Sequence, residues 1–230
     1  MTTLSVIVPV YNEENTLEES FKRLIEIDDI VTKIIIVNDC STDSSGKIIN
    51  NIKKQNTKVI VLNNQRNLGK GAALTNAQNY IDTDFVVIHD ADLEYFPQDL
   101  RNMYNLIQTN NVDLVIGSRF LGDTKKIIYY RTYFANQFLS KIFSIIYRKK
   151  VTDVATCYKM MASSYFKNIH LQERGFSIEI ELLAKYFNNN DSFLESPINY
   201  SARTYEEGKK IKISDGFMYL WSMVRYRRIF

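Results

Sequence analysis

Five short runs rich in β-branched residues, Leu4–Val10, Lys33–Val37, Lys58–Leu62, Asp84–Ile88 and Asp113–Ile116, constrain the fold more than any other feature of the sequence. Each has strand length and is apolar nearly throughout, the pattern of a strand buried on both faces. Helix-period stretches separate them: Glu13–Ile27, with its stripe of Leu17, Phe21, Leu24 and Ile25, then Ser44–Lys54, Gly69–Ile81 and Gln98–Gln108. The alternation predicts an α/β domain with a mainly parallel central sheet and helices on both faces. In such sheets ligands sit beyond the carboxyl ends of the strands. The polar residues at those ends are therefore where chemistry is expected.

Past residue 118 the rhythm changes. Ile127–Tyr147 reads as a long helix rich in Tyr, Phe and Ile; Tyr158–Met161 and Asn190–Tyr200 read as strands, with a helix at Ser177–Phe187 between them. Residues 201–213 are polar and basic, the composition of a mobile loop, and Asp215–Arg227 closes the pattern as an amphipathic helix with a basic end. No linker or internal repeat divides residues 1–230, which read as a single domain. A composition of 45% hydrophobic and 24% charged residues, with only 8 Gly and 3 Pro, excludes a disordered or fibrous chain. Two cysteines and two histidines, His89 and His170, supply neither a disulfide scaffold nor a multi-histidine metal site. No run of about 18 apolar residues is present, and the start has no basic region, while its apolar run Val6–Val10 meets Glu13 and Glu14 too soon for a signal peptide. The sequence thus predicts a soluble or peripheral chain in the cytoplasm.

The formal net charge of +3 conceals a division: residues 1–124 carry 11 Lys+Arg against 17 Asp+Glu, and residues 125–230 carry 18 against 9. An acidic half suits a cation, and a basic half suits an anionic substrate or surface.

Four strand ends carry candidate chemistry. At Pro9-Val10-Tyr11-Asn12-Glu13-Glu14, Asn12 is placed to cap the following helix, with Glu13 and Glu14 at its positive end. At Asn38-Asp39-Cys40-Ser41, Asp39 suits hydrogen bonding to a nucleobase or ribose, or simply a turn and cap. Asn67-Leu68-Gly69-Lys70-Gly71-Ala72-Ala73 has neither P-loop nor dinucleotide-fingerprint spacing, so a tight turn into a closely packed helix is the expectation. The fourth end, Ile88-His89-Asp90-Ala91-Asp92-Leu93-Glu94, weighs most. On an extended segment alternate side chains share a face, so Asp90, Asp92 and Glu94 are expected to converge on one hard cation, Mg²⁺ or Mn²⁺, able to bridge a diphosphate. Three acids at a buried strand end are costly unless something neutralises them.

Val6–Glu14, Ile34–Asp43, Asn67–Ala72, Ile88–Glu94 and Val115–Phe120 together resemble glycosyltransferase family 2, the inverting enzymes of the GT-A nucleotide-diphospho-sugar transferase fold. Asp153–Lys159, Gly175–Glu179 and Arg203–Ile211 narrow the resemblance to the polyprenyl- and dolichyl-phosphate sugar synthases. It implies transfer of a hexose from a UDP- or GDP-linked donor to a polyprenyl phosphate at a membrane surface. By the same resemblance Pro9, Tyr11, Glu13 and Asp39 hold the nucleoside, with Val37 and Ala91 beside them. Asp90 and Asp92 serve the metal and diphosphate, with Glu94 a further metal ligand. Arg119 and Arg131 face the acceptor phosphate, and Arg203 and Lys209 belong to a basic loop closing on the donor diphosphate. Where the family usually has Asp-Asp-Gly-Ser, this chain has Asn38-Asp39-Cys40-Ser41, which weakens the inference for base contacts near Asn38.

A lipid monophosphate is already an anion and needs cations rather than a general base to place it. A hydroxyl acceptor would need a base, for which Asp153 is the candidate; the reading preferred here is that Asp153 orients an arginine. Tyr129, Tyr130, Tyr133 and Phe134, flanked by Lys125, Lys126, Arg148, Lys149 and Lys150, describe an interfacial helix; Trp221 with Arg225, Arg227 and Arg228 is a second candidate contact. Expected partners are thus the donor, a polyprenyl phosphate and a membrane surface, with an anchoring subunit or a second copy left open and no nucleic acid. Two other readings stand beside this one: a soluble transferase extending a polysaccharide, and a non-catalytic nucleotide-sugar-binding protein.

Overall fold

The computed structural model describes residues 2–122, 130–203 and 213–227. β1 (Leu4–Val10), β2 (Lys33–Asn38), β3 (Val59–Asn63), β4 (Phe85–Ile88) and β5 (Leu114–Ser118) coincide with the five β-branched runs to within a residue or two. α1 (Leu17–Ile25), α2 (Ser45–Gln55), α3 (Lys70–Ala77) and α4 (Asp99–Thr109) lie between them. The second half adds α5 (Tyr130–Tyr147), β6 (Lys159–Ala162), α6 (Ser163–Asn168), α7 (Ile178–Phe187), β7 (Leu194–Pro197) and α8 (Ile213–Arg225).

The strands form one seven-stranded sheet in the order β3-β2-β1-β4-β6-β5-β7. All neighbouring pairs are parallel except those of β6, which runs antiparallel between β4 and β5. Every side chain of β5 and all but Pro9 of β1 are buried, as expected where helices cover both faces. α3 packs on β1 and β2, α4 on β5 and β7, and α8 on α5 and α7.

Several boundaries differ from the sequence expectation. Asn12 does not cap α1. It adopts a left-handed φ of 52°, and the Glu13 carbonyl accepts from the backbone N–H of Thr16 and Leu17, so a turn precedes the helix and Thr16 is its N-cap. The Asn12 carboxamide reaches across instead to the Thr42 backbone N–H at 2.8 Å. Gly69–Ile81 becomes α3 followed by a single 3-10 turn at Gln78–Tyr80. Of Asn190–Tyr200 only four residues pair as β7, and α6 follows β6 directly with no separating turn signal. Of the expected loop at 201–213, residues 204–212 lie outside the described residues.

The turn into α3 is fixed by backbone proximity. Gly71 N–H donates to the Arg174 carbonyl at 2.9 Å, and a Cβ on Gly71 would lie 1.8 Å from the Glu173 carbonyl oxygen. Gly69, at φ +86°, would place a Cβ 2.3 Å from the Arg174 carbonyl oxygen. The start of α3 and the segment leading into α7 are thus pressed together through glycine. Gly71→Ala should cost about 2–3 kcal/mol, the range for overpacking, and lower the melting temperature by roughly 5–10 °C. Gly216→Ala on α8, where an added Cβ meets nothing within 4 Å, should instead gain about 0.5–1 kcal/mol from helix propensity. Equal melting temperatures for the two variants would contradict this packing.

Candidate active site

The carboxyl ends of β1, β2 and β4 open onto a cavity of about 270 Å³. Pro9, Tyr11, Glu13, Asp39, Asp90, Ala91, Asp92, Glu94, Arg119 and Arg203, all singled out from sequence, line it. Val37 does not: it is fully buried inside β2, paired between Pro9 and Leu62. Arg131 falls in the first turn of α5 with its side chain outside the description, and Lys209 lies outside the described residues.

Asp39 organises one wall. Its buried carboxylate accepts from Asn64 Nδ2 at 2.7 Å, Leu68 N–H at 3.0 Å and Gly69 N–H at 2.7 Å, tying the end of β2 to the turn before α3. A carboxylate has about four acceptor positions, so three protein donors leave room for one from a ligand. Cys40, where the resemblance has glycine, takes a φ of 61°, a conformation that costs roughly 1–2 kcal/mol for a residue with a Cβ. Asn38 braces this turn, its Oδ1 accepting from Ser41 N–H at 3.0 Å.

The acids after β4 do not lie on a continued strand. β4 ends at Ile88 and residues 91–94 bend, which removes the two-residue alternation on which their convergence was expected. Asp90 pairs with Lys70 at 2.7 Å. Asp92 pairs with Arg203 at 2.7 Å and Glu94 with Arg203 at 3.4 Å, while Glu13 lies 3.5 Å from the same guanidinium. Glu94 also accepts from Tyr200 Oη at 2.7 Å and the Arg203 backbone N–H at 3.1 Å. Among the described residues no group of three or more His, Cys, Asp or Glu side chains is arranged to hold an ion. The set Asp90, Asp92 and Glu94 is therefore not a formed three-carboxylate metal site; the chain's own cations occupy it.

The electrostatics nonetheless fit a hard divalent ion. Burial works to raise the Asp90 pKa, but the charge and hydrogen bond of Lys70 prevail and hold it below the usual carboxylate range. Burial, reinforced by Asp90 and Glu94, pushes Asp92 up to about 8 despite Arg203. A carboxylate so disfavoured as an anion gains from a nearby cation, and carboxylate oxygens are the donors that Mg²⁺ and Mn²⁺ prefer. Asp92, with Asp90 and Glu94 close enough to raise its pKa, offers such a donor in the cavity lining. His89 is unsuited because both its ring nitrogens are taken, by Ser20 Oγ at 3.1 Å and Tyr158 Oη at 3.0 Å.

Arg119 also lines the cavity, and its Nε and Nη2 meet the two oxygens of Asp153 at 2.7 and 2.8 Å. Its guanidinium lies 4.9 Å from the centre of the Tyr200 ring, and Tyr95 packs edge-on against Tyr200 at 5.2 Å. Asp153 is wholly buried, as the preferred reading of an arginine-orienting residue requires.

Sequence reasoning gave no roles to Lys70, Lys159 and Glu179. Lys70 joins Asp90 to Glu179 Oε1 at 2.8 Å, and Glu179 Oε2 meets Lys159 at 2.6 Å. All three lie inside segments recognised by motif, but their pairing spans 20 to 109 residues, and nothing local in the sequence announces it. Asp153→Asn should cost about 3–5 kcal/mol, because it strands a buried guanidinium; chemical denaturation measures this, and a loss below 1 kcal/mol would contradict the pairing.

Three comparisons relate this chain to known proteins. Residues 5–170 match the model of Glycosyl transferase family 2. The chain is 27% identical over 211 residues to the undecaprenyl-phosphate 4-deoxy-4-formamido-L-arabinose transferase of Edwardsiella ictaluri, covering 90% of this chain and 62% of that protein. It is 26% identical over 231 residues to the dolichol-phosphate mannosyltransferase of Pyrococcus furiosus, covering 96% and 63%. This chain thus spans less than two thirds of the length of these relatives. Its fold matches that of glucosyl-3-phosphoglycerate synthase from Mycobacterium tuberculosis, solved with Mn²⁺, uridine diphosphate and phosphoglyceric acid, at a TM-score of 0.72 and 18% identity over 98% of this chain and 78% of the other. The GT-A architecture expected from the sequence is therefore the one observed, and the chain belongs to glycosyl transferase family 2.

Proposed function

We propose that this chain is the catalytic part of an inverting glycosyltransferase that moves a hexose from a UDP- or GDP-linked donor to a polyprenyl phosphate at a membrane surface. The observation that carries the reading is the presence, in one cavity, of a carboxylate cluster short of cations together with an arginine, Arg119, oriented by Asp153. The relatives' names, an undecaprenyl-phosphate transferase and a dolichol-phosphate mannosyltransferase, support the acceptor class.

Asp39, with Pro9 and Tyr11 beside it, would hold the nucleoside. Mg²⁺ or Mn²⁺ held by Asp92 would neutralise the charge that develops on the departing diphosphate. Arg203, shared among Glu13, Asp92 and Glu94, would meet that diphosphate, with Lys209 assisting. Arg119 presents a guanidinium whose orientation Asp153 sets, a suitable partner for an acceptor phosphate; Arg131 would assist from α5. Because Asp153 is sealed against Arg119, it is poorly placed as the general base that a hydroxyl acceptor would require.

A membrane-surface acceptor also explains an otherwise unpartnered apolar face. Tyr130, Phe134, Phe138 and Ile145 on α5 and Phe217, Trp221 and Val224 on α8 are each more than half exposed. The two helices are joined by a hydrogen bond from Tyr147 Oη to the Met223 carbonyl at 2.8 Å. Among the described residues no helix is long and apolar enough to cross a membrane, so the contact proposed is interfacial.

The test is a screen of radiolabelled nucleotide sugars with a short polyprenyl phosphate, followed by organic extraction. Label should move to the organic phase only when a divalent cation is present. Asp92→Asn should lower turnover by about a hundredfold or more without lowering the melting temperature. Full activity in excess EDTA would overturn the metal assignment, and transfer to a hydroxyl-bearing glycan with no lipid phosphate would overturn the acceptor.

A further inference from the structure

The four charges beneath the cavity form a neutral chain. Asp90 meets Lys70 at 2.7 Å, Lys70 meets Glu179 at 2.8 Å, and Glu179 meets Lys159 at 2.6 Å. Asp90, Lys70 and Glu179 line the cavity, whereas Lys159 does not and is wholly buried. The Lys159 ammonium also donates to the Thr156 carbonyl. A buried ion pair is weak grounds for stability, since apolar residues of similar volume often serve as well or better. Stability alone therefore does not explain why an ammonium sits in this position.

Charge accounting offers a reason. Without Lys159, the single ammonium of Lys70 would face two buried carboxylates, Asp90 and Glu179. Glu179 would then have no counter-ion on its Oε2 side, and its full charge would draw Lys70 away from Asp90. We propose that Lys159 is a positioning residue of the donor site: by neutralising Glu179 from beneath, it leaves the Lys70 ammonium on Asp90 and facing the cavity. The proposal rests on the transferase reading for its catalytic consequence, but its structural part stands without it.

Lys159 is held rigidly enough for this task. It sits at the start of β6, where its backbone pairs with Ile116 of β5. Glu179 lies in the first turn of α7, whose approach is clamped against the start of α3 by the contacts of Gly69 and Gly71 with Glu173 and Arg174. The helix carrying Lys70 and the helix carrying Glu179 thus have a fixed separation, and the balance of charge decides where the Lys70 ammonium rests.

The experiment compares wild type, Lys159→Met, Glu179→Gln and the double variant. A crystal structure of Lys159→Met should show Lys70 shifted to Glu179 and more than 4 Å from Asp90; the double variant, again one ammonium for one carboxylate, should restore the Lys70–Asp90 pair. In steady-state assays Lys159→Met should lose at least tenfold in kcat/KM for the nucleotide sugar with the acceptor KM unchanged. The double variant should be no less active than the poorer single one. An unmoved Lys70, losses that multiply in the double variant, or a loss that merely follows the folded fraction would each overturn the proposal. If Lys159→Met does not fold, Lys159→Gln takes its place, and failure of both to fold assigns Lys159 to structure alone. A wild-type chain that transfers no sugar would overturn the function proposed above and leave the crystallographic comparison to decide this one.

Discussion

Carboxylates crowded at the carboxyl end of a central strand are the constraint on which the rest of this structure turns. Asp90, Asp92 and Glu94 follow β4 within six residues, and Glu13 and Glu179 converge on them from other elements. Charges so placed repel one another and lose hydration, and the raised pKa of Asp92 records both effects. The chain answers with Lys70, Lys159 and Arg203, three cations for these five acids, two short of each acid having a cation of its own. That imbalance is an unusual feature for a fold to retain unless a positively charged ligand completes it.

The architecture delivers those cations from far along the chain. β6 enters antiparallel between β4 and β5, bringing Cys157, Tyr158 and Lys159 beside the β4 end. Gly69 and Gly71 let the backbone around residue 174 approach closely enough to set Lys70 against Glu179. Arg203 arrives after the Tyr200 backbone bridges to Tyr95, and the Tyr200 hydroxyl shares Glu94 with it. In the same cavity the logic is carried further: Arg119 and Asp153 neutralise one another, so the guanidinium is aimed rather than free to seek a carboxylate of the acid cluster.

Strand positions were legible because buried parallel strands write themselves as continuous apolar runs, and the site's location followed from the rule that ligands bind beyond strand carboxyl ends. Nine of the ten cavity-lining residues named from sequence lie in short motifs at or just beyond those ends, Arg203 in the loop after β7 being the exception, and for most of them it was the family resemblance rather than local spacing that singled them out. What was not legible depends on distance in the chain. Convergence of Asp90, Asp92 and Glu94 was expected from strand alternation, and failed because the strand stops at Ile88. Val37 was grouped with the nucleoside residues by motif, yet its place inside β2 turns it into the core. Asn12 was read as a cap from its residue type, whereas pairing with Thr42 across a second loop took its side chain. Lys159 looked like part of a strand motif, and only the insertion of β6 beside α7 reveals its partner.

The central claim is that the acid cluster is completed by an added cation, with Arg203 as its resident substitute. Titrating Mn²⁺ into the nucleotide-free protein, followed by electron paramagnetic resonance of the free ion, tests this without reference to turnover. Removing a competing internal cation should make Arg203→Ala bind Mn²⁺ more tightly than the wild type, by about tenfold if one charge-assisted contact of roughly 1.5 kcal/mol is released. Affinity that is unchanged or weaker in Arg203→Ala would contradict the account.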